Sequence, residues 1–161
     1  VGYYLPLGRR VPFEEALETK GQREWVVHEP FALEVDIVRS ASGLRLHLRG
    51  AGGRAGVPFQ LELCAHGATE WVVPSASMTA QPGASTILKD GYGSVRNGRY
   101  AVQVGPGSRA HRMWQMRGSE PGCDGFRIII PMMAPLEETV EVDCGWWNEP
   151  QDRFVPAGVH Y

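Results

Sequence analysis

The feature that most restricts what this chain can fold into is a period of two in its apolar residues. From Phe31 onward Leu33, Val35 and Ile37 alternate with Glu34 and Asp36. Leu44, Leu46 and Leu48 then alternate with Arg45, His47 and Arg49, and Phe59, Leu61 and Leu63 with Gln60 and Glu62. Successive side chains of a strand point to opposite faces, so this pattern describes strands with one face buried and one wet. Further strands are expected near Trp71–Val73, Thr86–Leu88, Gly91–Arg96, Arg99–Val104, Arg109–Arg117, Phe126–Ile130 and Thr139–Cys144. Short strands punctuated this often by Gly and Pro predict an all-β domain, a two-sheet antiparallel β-sandwich of jelly-roll-like form.

At 161 residues the chain suits one hydrophobic core. Residues 1–30 read as an irregular lead-in, 31–145 as the sandwich and 146–161 as a tail packing on it. One short helix is expected in the lead-in, with Pro12 at its first position and Phe13, Ala16 and Leu17 on one face. No apolar run reaches the ~18 residues of a spanning helix, so no membrane partner is expected. The formal net charge is −2 and there is no basic tract, which argues against nucleic acid. Cys64, Cys123 and Cys144 lack the spacing of a zinc site and allow at most one disulfide. Neither a metal nor a cofactor is called for. Val1 is not a start methionine and no signal-peptide pattern follows it, as expected of a mature product or a piece of something longer.

Asn97-Gly98 predicts a two-residue type I′ hairpin turn, because that turn needs positive φ at both positions. The register that follows opposes Arg96 to Arg99, Val95 to Tyr100 and Gly93 to Val102. It sends Val95, Tyr100, Val102 and Val104 inward and Tyr92, Arg96, Arg99 and Gln103 outward. Two opposed arginines repel, which requires relief: an anion such as a uronic-acid carboxylate beside Tyr92, a nearby Asp or Glu, or side chains splayed into water. The basic residues are fourteen arginines and only Lys20 and Lys89. That bias fits either a GC-rich genome or recognition of carboxylate or sulfate by the planar guanidinium.

A second candidate face is the strand over 109–117, which would present Arg109, His111, Met113, Gln115 and Arg117 on one side, fixed donors suited to a polar or acidic ligand. A plain solvated face, with Trp114 and Met116 inside, is the alternative. The third candidate is Trp146-Trp147. Adjacent strand residues cannot both enter one core, so one indole is a sugar platform, an interface patch, or packed against a terminal segment. Candidate ligand-binding residues are thus Tyr92, Arg96, Arg99, His111, Gln115, Arg117, Trp146 and Trp147.

No GxSxG, HExxH, P-loop or GxGxxG pattern is present, and the five histidines are scattered. Glu14-Glu15 and Glu137-Glu138 are adjacent in sequence and cannot face one bond as an acid/base couple. Catalytic residues are left unassigned, and the isolated chain is read as leaning away from an enzyme.

Gly56-Val57-Pro58-Phe59-Gln60-Leu61-Glu62-Leu63, Leu88-Lys89-Asp90-Gly91-Tyr92, Val104-Gly105-Pro106-Gly107, and His111 with Arg117-Gly118 lie in an order that resembles the C-terminal β-sandwich segments of bacterial polysaccharide lyases, notably the heparinase II/III-like group. The likeness spans Leu44 to Cys144. In those enzymes a helical toroid carries most catalytic side chains, and this chain has no room for one. The resemblance therefore implies an accessory module in glycan processing, binding an acidic or neutral glycan, with an extracellular or periplasmic setting. Two alternatives stand beside it: a module docking on a larger catalytic domain or subunit, and a small lyase or hydrolase with Tyr92 or His111 as base.

Overall fold

The computed structural model describes residues 2–4, 18, 21, 25–27, 32–51, 56, 58–110 and 124–158. Most of the expected helix falls outside them. The fold is an all-β sandwich. Its large sheet contains β3 (Ala32–Arg39), β4 (Gly43–Ala51), β6 (Glu70–Val73), β7 (Ala76–Thr79), β9 (Gly93–Asn97), β10 (Tyr100–Gly105), β12 (Leu136–Asn148) and β13 (Arg153–Pro156). The strands run in the order β3-β4-β12-β10-β9-β6-β7, with β13 on the end of β12. Facing it is a sheet of β5 (Pro58–Ala65), β11 (Phe126–Met133) and β8 (Ser85–Ile87), ordered β5-β11-β8. In the lead-in, β1 (Gly2–Tyr4) and β2 (Trp25–Val27) pair antiparallel. Residues 146–156 complete β12 and supply β13, so they extend the large sheet itself.

One pair departs from the antiparallel expectation, since β8 runs parallel to β11 with Ile87 beside Ile129. The inner face of the large sheet carries Leu48, Val140, Leu136, Val104, Val95 and Trp71. These pack on Phe126, Ile128, Ile130 and Met132 of the small sheet. Side chains of this kind contribute roughly 1.5–3 kcal/mol each when removed from water. Trp71 lies 5.9 Å from the Phe126 ring centre. It reaches that place because Gly93 has no Cβ: one built there would stand 2.2 Å from the indole.

The β9–β10 turn differs from the type I′ expectation. Tyr100 pairs with Asn97, Ala101 with Arg96 and Val102 with Val95. Gly98 has φ +57 and Asp152 is the one described non-glycine residue with positive φ, so Asn97 is not left-handed. The turn is centred on Gly98 and Arg99, with glycine at the first central position as type II′ requires. Each residue's partner moves by two, which preserves sides. Val95, Val102 and Val104 do point inward, and Arg96 and Gln103 outward. Arg96 and Arg99, however, are never opposed, because Arg99 belongs to the turn and Arg96 faces Ala101.

Candidate functional site

The outer face of the large sheet is polar and mostly paired with itself. Arg49 contacts Asp36 at 2.6 Å and Glu34 at 3.3 Å, Arg45 contacts Glu141 at 3.0 Å, and His47 Nδ1 lies 3.0 Å from the Thr139 hydroxyl. Exposed pairs of this kind contribute about 0–1 kcal/mol each. Tyr92, expected beside the arginines, stands elsewhere and donates to Glu141 Oε2 at 3.0 Å. Burial first, then that hydrogen bond and the charges of Glu141 and Asp143, raise its pKa above the usual phenol value, with Arg45 working the other way. A phenol held protonated by a carboxylate is a poor general base, which weighs against the lyase alternative.

Arg96 is closed in. Its guanidinium meets Glu70 Oε2 at 3.0 Å and Glu149, and it lies 4.9 Å over the Trp147 ring. Its side chain is only 14% exposed. The opposed-arginine expectation is therefore replaced by neutralisation from nearby carboxylates, one of the forms of relief the sequence allowed. Trp147 is buried at 8% exposure and donates from Nε1 to Asp152 Oδ1 at 3.2 Å. The Arg96 charge is thus met within the fold, and the Trp147 ring has that guanidinium over it.

Arg99 and Trp146 are arranged differently. Tyr100 and Trp146 are direct cross-strand partners at the end of β10 and β12. They stay 64% and 39% exposed. The small sheet ends at the Ala65–Phe126 pair, whereas the large sheet runs on to Tyr100 and Trp146, so nothing in the small sheet covers them. Arg99 lies 5.1 Å over the Tyr100 ring and donates to its hydroxyl at 3.2 Å, an interaction that raises the guanidinium pKa and keeps it charged. Among the described residues no carboxylate forms an ion pair with Arg99. A depression of about 570 Å³ is lined by Arg99, Tyr100, Cys144, Trp146, Trp147 and Ala157. Tyr100 was missed as a site residue because its place after Asn-Gly put it in the core pattern.

His111, Gln115 and Arg117 lie outside the described residues. Arg109 and Ala110, at the start of that expected strand, are not in a strand, and Arg109 pairs with Asp90. Cys64 is disulfide-bonded and Cys144 is a free, exposed thiol. Among the described residues no group of three or more His, Cys, Asp or Glu is arranged to hold a metal, and no helix is long and apolar enough to cross a membrane.

Comparison with family models, curated proteins and solved structures returned no match. Tyr100, Trp146 and Arg99 combine two adjacent exposed aromatic rings with one charged guanidinium. Such a set can stack a flat, weakly polar ring and fork a carboxylate.

Proposed function

We propose that the chain is a non-catalytic carbohydrate-binding β-sandwich module that holds an acidic sugar on Tyr100 and Trp146, with Arg99 taking the carboxylate. The observation that carries this reading is the exposed cross-strand pair Tyr100–Trp146 beside a guanidinium without a carboxylate. Rings of this type offer broad contact at low conformational cost, and arginine binds carboxylates in a planar, two-pronged way. The resemblance of residues 44–144 to sandwich segments of glycan-degrading enzymes supports the same class of ligand. Of the residues named from sequence this reading keeps Arg99 and Trp146, leaves out Arg96, Trp147 and Tyr92, and adds Tyr100.

The test is titration of tryptophan fluorescence with uronic-acid oligosaccharides at low and moderate salt. Binding should weaken as salt rises, because ion pairing at an exposed site is screened. Trp146→Ala or Tyr100→Ala should lower affinity at least tenfold. Absence of any response at either salt would overturn the reading. It would favour the second one, docking on a larger partner, for which the exposed Leu33, Val35 and Ile37 on edge strand β3 are the supporting observation.

A further inference from the structure

Beneath the aromatic pair the two sheets part. A cavity of about 540 Å³ opens between them, walled by Leu63, Val95, Val102, Val104, Ile128 and Val142, with Asn97 and Tyr100 at its mouth. Its cause is the same overrun that exposes Tyr100 and Trp146: opposite the end of the large sheet the small sheet offers only Ala65, and the following turn offers Ala68. Tyr100 and Cys144 line both the cavity and the outer depression, so the two spaces adjoin. Pockets with mostly apolar walls favour apolar guests, and 300–1,000 Å³ is the range of small-molecule sites.

We infer that this cavity receives a saturated hydrocarbon chain whose anionic head lies outside against Arg99. Charge fixes that orientation: of the polar residues in the lining, Arg96 is already neutralised by Glu70 and Glu149 and His66 is paired with Asp124, while the unneutralised Arg99 guanidinium stands next to the mouth. A free fatty acid and an alkylated or acylated acidic glycan share this chemistry. The glycan form of the head rests on the function proposed above; the place of the chain does not.

The probes are alkyl β-D-glucuronides of increasing chain length, dodecanoate, and a uronic-acid tetrasaccharide without a chain, each below its micelle concentration. Affinity for the glucuronides should rise about fourfold per added methylene group and then level off when the cavity is full. Val102→Phe and, separately, Ala65→Leu fill the space from opposite sheets. Each should hold or raise the Tm, remove the dependence on chain length and leave tetrasaccharide binding unchanged. The native thiol supplies an independent readout, because dodecanoate should slow alkylation of Cys144 in the unmodified chain and not in Val102→Phe. If dodecanoate binds in this manner and the tetrasaccharide does not, the cavity inference stands and the glycan reading falls. If affinity ignores chain length, or the dependence survives both folded variants, the cavity inference is overturned while tetrasaccharide binding still decides the glycan reading.

Discussion

Arg96 on β9 and Arg99 in the turn that follows stand three residues apart, and they could hardly be used more differently. Arg96 projects from the outer face of β9 into two carboxylates and an indole, and its charge is consumed within the fold. Arg99 projects from the turn onto a single phenol and keeps its charge for something else. The same contrast divides the tryptophans, with Trp147 locked under Arg96 and Trp146 open beside Tyr100. Residue type does not distinguish these regions. What does is whether partners distant in sequence arrive to close them: Glu149 reaches Arg96 from 53 positions away, while at Tyr100 and Trp146 the small sheet stops short. The first region is structural and the second is available to a ligand.

The sharpest way to break that comparison is to truncate each tryptophan in turn. Trp147→Ala removes a buried indole, its bond to Asp152 and the platform under Arg96, and should cost about 3 kcal/mol of stability. Trp146→Ala removes a ring that is substantially in water, and should shift the urea midpoint far less while weakening glycan binding. Equal losses of stability in the two variants would show that the regions are not energetically distinct.

The arginines come next. Arg96→Ala leaves Glu70 and Glu149 facing each other without a cation and uncovers Trp147, at a cost of about 2 kcal/mol, a value kept modest because both carboxylates reach solvent. Arg99→Ala should leave the urea midpoint in place and remove the salt-sensitive part of acidic-sugar binding. A binding loss in Arg96→Ala that exceeds the one in Arg99→Ala, with the fold intact, would return the site to the face expected from sequence.

Much of the sandwich was legible because half-buried strands announce themselves by alternation, as in Leu44–Leu48 and Phe59–Leu63. Alternation did not guarantee burial, since Leu33, Val35 and Ile37 of β3 were expected on a buried face and stay exposed; β7, exposed at every position, and β13, only four residues long, left no pattern. The thirteen residues of β12 were visible only as Thr139–Cys144, since exposed Glu137 and Glu138 at one end and adjacent tryptophans at the other interrupt the alternation. Asn97-Gly98 located the hairpin but not its centre, because one glycine serves either turn type. That ambiguity created the supposed arginine pair, whereas Tyr100 was concealed because it keeps the core-facing side and only the early end of the small sheet leaves it uncovered. Trp146 was within reach, because consecutive strand residues must part. Nothing in the sequence could reveal which of Arg96 and Arg99 would be neutralised, because that depends on a long-range register.

The smallest effect expected is a pH dependence that separates Tyr92 from the exposed aromatic pair. Its hydroxyl donates to Glu141, and ionising it would place an anion in a half-covered site beside a carboxylate, so its pKa is raised in the fold. Between the unfolded value near 10 and the raised folded one, the native state binds more protons than the unfolded state, and stability falls as pH rises. The Tyr92 contribution is therefore complete below pH ~10 and is lost as pH climbs through the folded pKa. Tyr92→Phe should flatten the decline of the urea midpoint above pH ~10. Tyr92 lies outside the proposed platform, so the same variant should bind uronic-acid oligosaccharides like the unmodified chain at neutral pH. An unchanged alkaline slope would show that the Glu141 contact does not hold the proton, and lost sugar binding would draw Tyr92 back into the site.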